Sequence, residues 1–193
     1  MDATMVKSNP LGTDKISKLM MRYAIPSIIS LVINSLYNMV DQVFIGQGVG
    51  YLGNAATNVI LPINTLHMAI LMMIGDGAAA FMSLKMGQGK SEQAAHGVGN
   101  AVTLTIGIGI LYTILCEIFM NPLCQFFGAT ENSMPYALEY GRIITLGYLF
   151  VSIDIAFGSI IRADGRPNAS MIGLIIGCVT NLILDPLFIF GFN

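Results

Sequence analysis

Asn34, Asn38 and Asp41 fall at i, i+4 and i+7, which places them on one face of a helix with Tyr37 beside them. The run that holds them, from Tyr23 to Gly46, is otherwise apolar and matches the ~20 residues that a bilayer-spanning helix needs. A carboxylate in such a helix costs roughly 2.5–3.5 kcal/mol on insertion scales, so it is usually retained where it faces a cavity and acts there. Snorkelling to the interface is the plain alternative for Asp41, which stands five residues before Gly46. Its short side chain and the polar stripe behind it argue against that. Asn181 and Asp185 form a second i, i+4 pair, and Pro186 cannot donate to the carbonyl of Leu182, so an acceptor is freed beside Asp185. Asp41 follows Arg22 by 19 residues, and Asp185 follows Arg166 by 19. At about 1.5 Å rise per residue the two carboxylates reach similar depth. Asp41, Asn38, Asn181, Asp185 and the free carbonyl make an oxygen-rich set suited to a monovalent cation such as sodium, or to a proton shared between carboxylates that burial and mutual repulsion keep from both ionising. Matching depth alone would also arise from two unrelated polar residues satisfied locally.

The chain that must position these groups has 193 residues, 54% hydrophobic and only 10% charged, with a net charge of −2. Soluble domains carry about 25% charged residues, so this is an all-α integral membrane protein, and nothing in its charge points to nucleic acid. Cys116, Cys124 and Cys178 lack metal-ligand spacing and read as free thiols. The thirteen methionines are mostly lipid-facing filler, although thioethers also suit a pocket for varied apolar shapes.

Five spans are expected, at 23–45, 57–84, 97–119, 136–161 and 169–191. Residues 1–22 read as a polar, uncleaved cytosolic segment whose Lys15, Lys18 and Arg22 form an amphipathic entry for anionic headgroups; residues 23–193 form the membrane lobe. Loops are expected at 46–53, 85–96 and 121–135, with Pro135 opening the next helix. If the spans alternate, eight lysines and arginines fall on one side and none in the opposite loops, which sets the N-terminus in the cytosol. Pro26 and Pro186 are candidate hinges. His67, alone in an apolar span, is expected to bond a neighbouring helix rather than carry protons. Gly75 to Ala80 gives a small-residue face for close helix approach, on which Asp76 reads as a structural acceptor. Asp154 lies deep in the fourth span, eight residues before Arg162.

Leu36-Tyr37-Asn38-x-x-Asp41 with Phe44-Ile45-Gly46, Arg162-Ala163-x-Gly165-x-Pro167, and Asn181-x-x-x-Asp185-Pro186-x-Phe188-Ile189 with Gly191 together resemble the multidrug and toxic compound extrusion (MATE) transporters, in their prokaryotic DinF-like and MepA-like branches. The resemblance runs from about Lys15 onward. It implies a twelve-helix fold of two six-helix lobes, of which this chain supplies an incomplete N-terminal one, in a bacterial inner membrane. It also implies cation-coupled export of amphipathic, often cationic drugs. Asp41, Asn181 and Asp185 match the family's coupling positions, and Tyr37 and Asn38 the polar network beside them. The expected partners are membrane lipid, such drugs and the missing C-terminal lobe, with a proton or sodium as coupling ion and no other cofactor. Asn34, Asp76 and Asp154 form a secondary polar network; Asp76 and Asp154 depart from common family residues and add carboxylates to it. A lipid-linked oligosaccharide flippase of the same superfamily would favour an arginine-rich cavity, and only Arg142, near a span end, approaches that. A truncated, non-transporting membrane module is a further alternative. An enzyme would need clustered His, Cys or Ser, which two scattered histidines do not supply.

Overall fold

The computed structural model describes residues 15–191, with the side chain of Phe190 outside the description. The polar lead-in expected before Lys15 lies outside the described residues. Six helices follow in order: α1 (Ile16–Gly48), α2 (Tyr51–Gly87), α3 (Ser91–Phe126), α4 (Met134–Leu146), α5 (Tyr148–Ala163) and α6 (Pro167–Gly191). Four of them are long and apolar enough to cross a bilayer, and α4 with α5 passes as one span bent by 53°.

The helices are longer and the connections shorter than the sequence suggests. α1 starts at Ile16, so the basic entry and the first span are one helix. The glycine-rich loop expected at 46–53 shrinks to Val49 and Gly50, whose amides both bond the Ile45 carbonyl at 2.9 and 3.2 Å. The hydrophilic loop expected at 85–96 shrinks to Gln88–Lys90, and Gly89 supplies the positive φ (72°) that the turn needs. The loop expected at 121–135 starts only after Phe126, because α3 continues through Pro122. The common cause is that backbone groups in a bilayer have no water to bond, so helix persists wherever it can. Pro135 does open α4, as expected.

The break at Gly147 was not expected within 136–161. Its cause is local. The amide of Gly147 bonds Ile144 in a tight turn at 3.0 Å, and the Thr113 hydroxyl of α3, 2.9 Å from its own Gly109 carbonyl, comes within 3.2 Å of the Thr145 carbonyl at the bend.

Two apolar clusters form the core. One gathers Ile60, Ile63, Cys116, Met120, Ala137 and Tyr148 from α2 to α5. The other gathers Ile74, Ala78, Met82, Ala94 and Ile160 at the end that carries Lys85 and Arg162. Between them lies a polar layer. His67 is buried, its Nε2 lies 3.1 Å from Ser152 Oγ, and its ring stacks on Tyr112 and tilts against Tyr148. The Ser152 hydroxyl donates its one hydrogen to the Tyr148 carbonyl at 2.7 Å. His67 Nε2 must therefore be the donor in their contact. This is the helix-bonding role expected of it. Tyr148 donates to Asn64, Tyr112 to the Ile63 carbonyl (2.8 Å), and Thr145 to Glu117. Glu117 is thus tied to α4 by that bond.

α1 and α6 stand apart from this core and pack mainly on each other. Tyr37 meets Asn181, and a Cβ on Gly165 would sit 3.5 Å from the Tyr23 hydroxyl. Ile45 and Ile189 line one cleft. Position 23 pairs with 165, 37 with 181 and 45 with 189, so the two helices run parallel in nearly constant register. Parallel α1 and α6 require an odd number of crossings between them. α2, α3 and the bent α4–α5 pair supply three.

Helices in lipid gain little from burying apolar surface and rely on close contact between small side chains. At Gly75 a Cβ would lie 3.2 Å from the Ala156 Cα and 3.5 Å from Ser159, whereas at Gly77 it would meet nothing within 4 Å. Gly75→Leu is expected to cost about 1–3 kcal/mol by overpacking, with Gly77→Leu near neutral, read as thermal unfolding of the purified protein in detergent. Equal effects of the two would contradict the α2–α5 packing.

Candidate ion and substrate site

The sequence-singled residues divide into a constellation and two outlying groups. Tyr37 on α1 accepts a hydrogen bond from Asn181 Nδ2 on α6 at 3.1 Å. Asp41 and Asp185 stand one turn further along each helix, four residues on, within Coulomb range of each other and of Tyr37. Asp185 Oδ2 is buried with no hydrogen-bond partner among the described residues. The depth at which Tyr37 meets Asn181 is the common depth obtained by counting from Arg22 and Arg166.

Asn38 is turned away from this contact. Its Nδ2 donates to the carbonyl of Asn34 at 2.8 Å and to Asn34 Oδ1 at 3.0 Å, so the two amides pair along the exposed face of α1. Pro26 is buried inside an unbroken α1, and Ser27 donates to the Tyr23 carbonyl beside it at 2.9 Å. Pro186 likewise lies within an unbroken α6.

Asp76 and Asp154 are elsewhere. Asp76 Oδ1 accepts from Ser159 at 2.7 Å, tying α2 to α5, the acceptor role expected for it. Asp154 lines a cleft of about 260 Å³ with Met68, Met72, Phe157 and Arg162. A neighbouring cleft of about 400 Å³ is lined by Pro26, Ser30, Asn34, Arg162 and Ser170.

Two further residues belong to the site. Tyr140 on α4 lies within Coulomb range of Asp41 and Tyr37. Gln42, next to Asp41, comes within 3.3 Å of the Thr57 hydroxyl on α2, which is also 2.9 Å from its own Asn54 carbonyl. Their spacing carries no signal, since each lies on a different helix from the group it faces.

Two carboxylates at one depth, about 28 Å of helix from the basic anchors at ~1.5 Å per residue, call for a counter-charge or a proton. The buried free oxygen of Asp185 and the amide and hydroxyl beside it are hard donors of the kind that sodium accepts. No cluster of three His, Cys, Asp or Glu suited to a divalent or transition metal occurs among the described residues.

Paired intramembrane acids on parallel membrane helices are an arrangement that secondary transporters use. The MatE family model matches residues 26–187, and the chain belongs to that family. It is 26% identical over 187 residues to "Probable multidrug resistance protein YoeA" of Bacillus subtilis (strain 168), covering 94% of this chain and 40% of that protein. It is 25% identical over 176 residues to "Multidrug export protein MepA" of Staphylococcus aureus (strain NCTC 8325 / PS 47), covering 91% of this chain and 39% of that one. A solved structure described as the outward-facing conformation of a multidrug resistance MATE family transporter of the MOP superfamily aligns with a TM-score of 0.85 at 25% identity, over 91% of this chain and 39% of that one. The chain therefore spans about 40% of the length of these relatives, as one N-terminal lobe.

The Tyr37–Asn181 contact yields a prediction. Hydrogen bonds between membrane helices average about 0.6 kcal/mol and reach about 1.7. Tyr37→Phe and Asn181→Ala should each destabilise the protein, and the double-mutant cycle should return a coupling in that range, measured by unfolding in detergent. A coupling of zero would remove the contact.

Proposed function

We propose that this lobe serves a cation-coupled antiporter that exports amphipathic, often cationic compounds across the bacterial plasma membrane, with its N-terminus on the cytosolic side. The observation that carries the reading is the Tyr37–Asn181 contact, which sets Asp41 and Asp185 within Coulomb range of each other. The coupling ion, a proton or sodium, is held by these two carboxylates with Asn181 and Tyr37 beside them. Asn38 and Asn34 line the approach. The basic residues at the opposite end support the orientation, since cytoplasmic ends carry the excess of lysine and arginine. The multidrug names of YoeA and MepA support the substrate class. The rest of the binding cavity is supplied by the second lobe.

Antiport requires that ion and drug each lower the other's affinity by the same factor. Direct competition at the carboxylates achieves this for a cationic drug. Bending of α1 at Pro26 and of α6 at Pro186 achieves it for drugs that sit further away, because proline removes one ladder bond in each helix.

Asp41→Asn keeps the shape and removes the charge. In vesicles carrying the full-length transporter it is expected to abolish gradient-driven efflux of a cationic dye while the protein stays folded and inserted. Asp185→Asn should match it, and the double variant should be little worse than either, because the pair acts as one unit. Near-normal efflux by both single variants, under imposed proton and sodium gradients, would remove the coupling role.

A further inference from the structure

We propose that the cleft beside the α5–α6 turn holds one membrane phospholipid whose headgroup carries both a phosphate and a protonated primary amine, as phosphatidylethanolamine does. Asp164 takes the amine, Arg166 takes the phosphate, and the apolar wall behind them takes an acyl chain.

The cleft has a volume of about 590 Å³ and is bounded by α2, α3, α5 and α6. One end is polar and the other apolar. Asp164, Arg166 and Ser91 stand at the helix ends, whereas Met82, Val98 and Phe157 line the depth. Val98 lies seven residues beyond Ser91, and Phe157 seven before Asp164. At ~1.5 Å per residue each wall runs about 10 Å from its polar end to its apolar one. That is the shape of an amphipath with its head at the membrane surface.

The charged end is built before a ligand arrives. Gly165 takes a positive φ (83°), which glycine allows. The amides of Gly165 and Arg166 bond the carbonyls of Arg162 and Ile161, each at 3.2 Å. This turn sets Arg166 Nε 3.3 Å from Asp164 Oδ2, and both side chains remain exposed. The pair uses one carboxylate oxygen and one of the five guanidinium N–H groups. Asp164 Oδ1 and the two Nη groups have no partner among the described residues.

An acyl chain gains little on passing from bilayer to cleft, because lipid tails are as apolar as the wall. The headgroup therefore decides which lipid stays. A phosphate alone would bring a second negative charge to Asp164. A phosphate with an ammonium beside it carries its charges in the order opposite to Arg166 and Asp164, so each meets its counterpart. A primary ammonium donates three hydrogen bonds, as lysine does, whereas a trimethylammonium donates none. Its other route, the face of an aromatic ring, is offered in this cleft only by Phe157, about 10 Å deeper.

The test uses the full-length transporter in detergent with equal amounts of phosphatidylethanolamine, phosphatidylcholine and phosphatidylglycerol of the same acyl chains. Native mass spectrometry reads the lipid retained. A charge-assisted hydrogen bond contributes about tenfold in affinity, so phosphatidylethanolamine should lead each of the others by about that factor. Asp164→Asn should bring its lead over phosphatidylcholine below about twofold, and Arg166→Gln should lower retention of all three. Both side chains are exposed, so both variants should unfold in lipid-free detergent near the temperature of the parent. Equal retention of the three lipids, a preference for phosphatidylglycerol, a lead that survives Asp164→Asn, or unchanged retention in Arg166→Gln would overturn the proposal. Neither drug nor ion gradient is present, so the outcome is independent of the export reading.

Discussion

An aspartate in a membrane helix is held against a cost of a few kcal/mol, and two of them at one depth repel each other as well. The rest of this lobe is arranged so that the cost is met at one place. α1 and α6 must run parallel for Asp41 and Asp185 to share a depth, and they must touch for the two carboxylates to lie within range of each other. Tyr37 and Asn181, four residues before each acid, make that touch at 3.1 Å. The remaining helices then follow from topology. An odd number of crossings has to return the chain from the end of α1 to the start of α6, and the bent α4–α5 pair completes the count.

The bend has a second consequence. A helix broken at Gly147 exposes backbone groups that lipid cannot satisfy, and α3 lies against the break, with Thr113 3.2 Å from the Thr145 carbonyl and Glu117 accepting from the Thr145 hydroxyl. The buried layer of His67, Tyr112, Tyr148 and Ser152 lies alongside. This is a firm frame of α2 to α5. α1 and α6 lie against it with little of their own surface buried, so the pair that carries the acids is the part of the lobe least fixed by core packing.

The parts of this arrangement that sequence revealed are those set by counting along one helix. The polar stripe on α1, the Asn181–Asp185 pair and their equal distance from Arg22 and Arg166 all follow from helical rise. The helix-bonding role of His67 and the small face at Gly75 follow from what lipid cannot provide. What sequence did not reveal depends on contact between helices or on the solvent. The glycines of 46–53 and Pro122 are breakers in water, yet α1 and α3 extend into or through them. Gly147 breaks its helix while Gly107 and Gly109 do not, and spacing along one helix does not distinguish them. Tyr140 joins Asp41 only because α4 is laid beside α1, and Arg162 becomes part of a cleft wall only because Ser159 and Ser170 turn it there.

The parallel register of α1 and α6 is the feature from which both the shared site and the crossing number derive, and cross-linking measures it directly. In a full-length background with Cys116, Cys124 and Cys178 replaced, cysteines are placed in pairs at 23 with 166 and at 45 with 189, and treated with a short bifunctional thiol reagent. Both pairs should cross-link efficiently, while 23 with 189 and 45 with 166 should not. Cross-linking of the second set in place of the first would show antiparallel helices, and would separate Asp41 from Asp185.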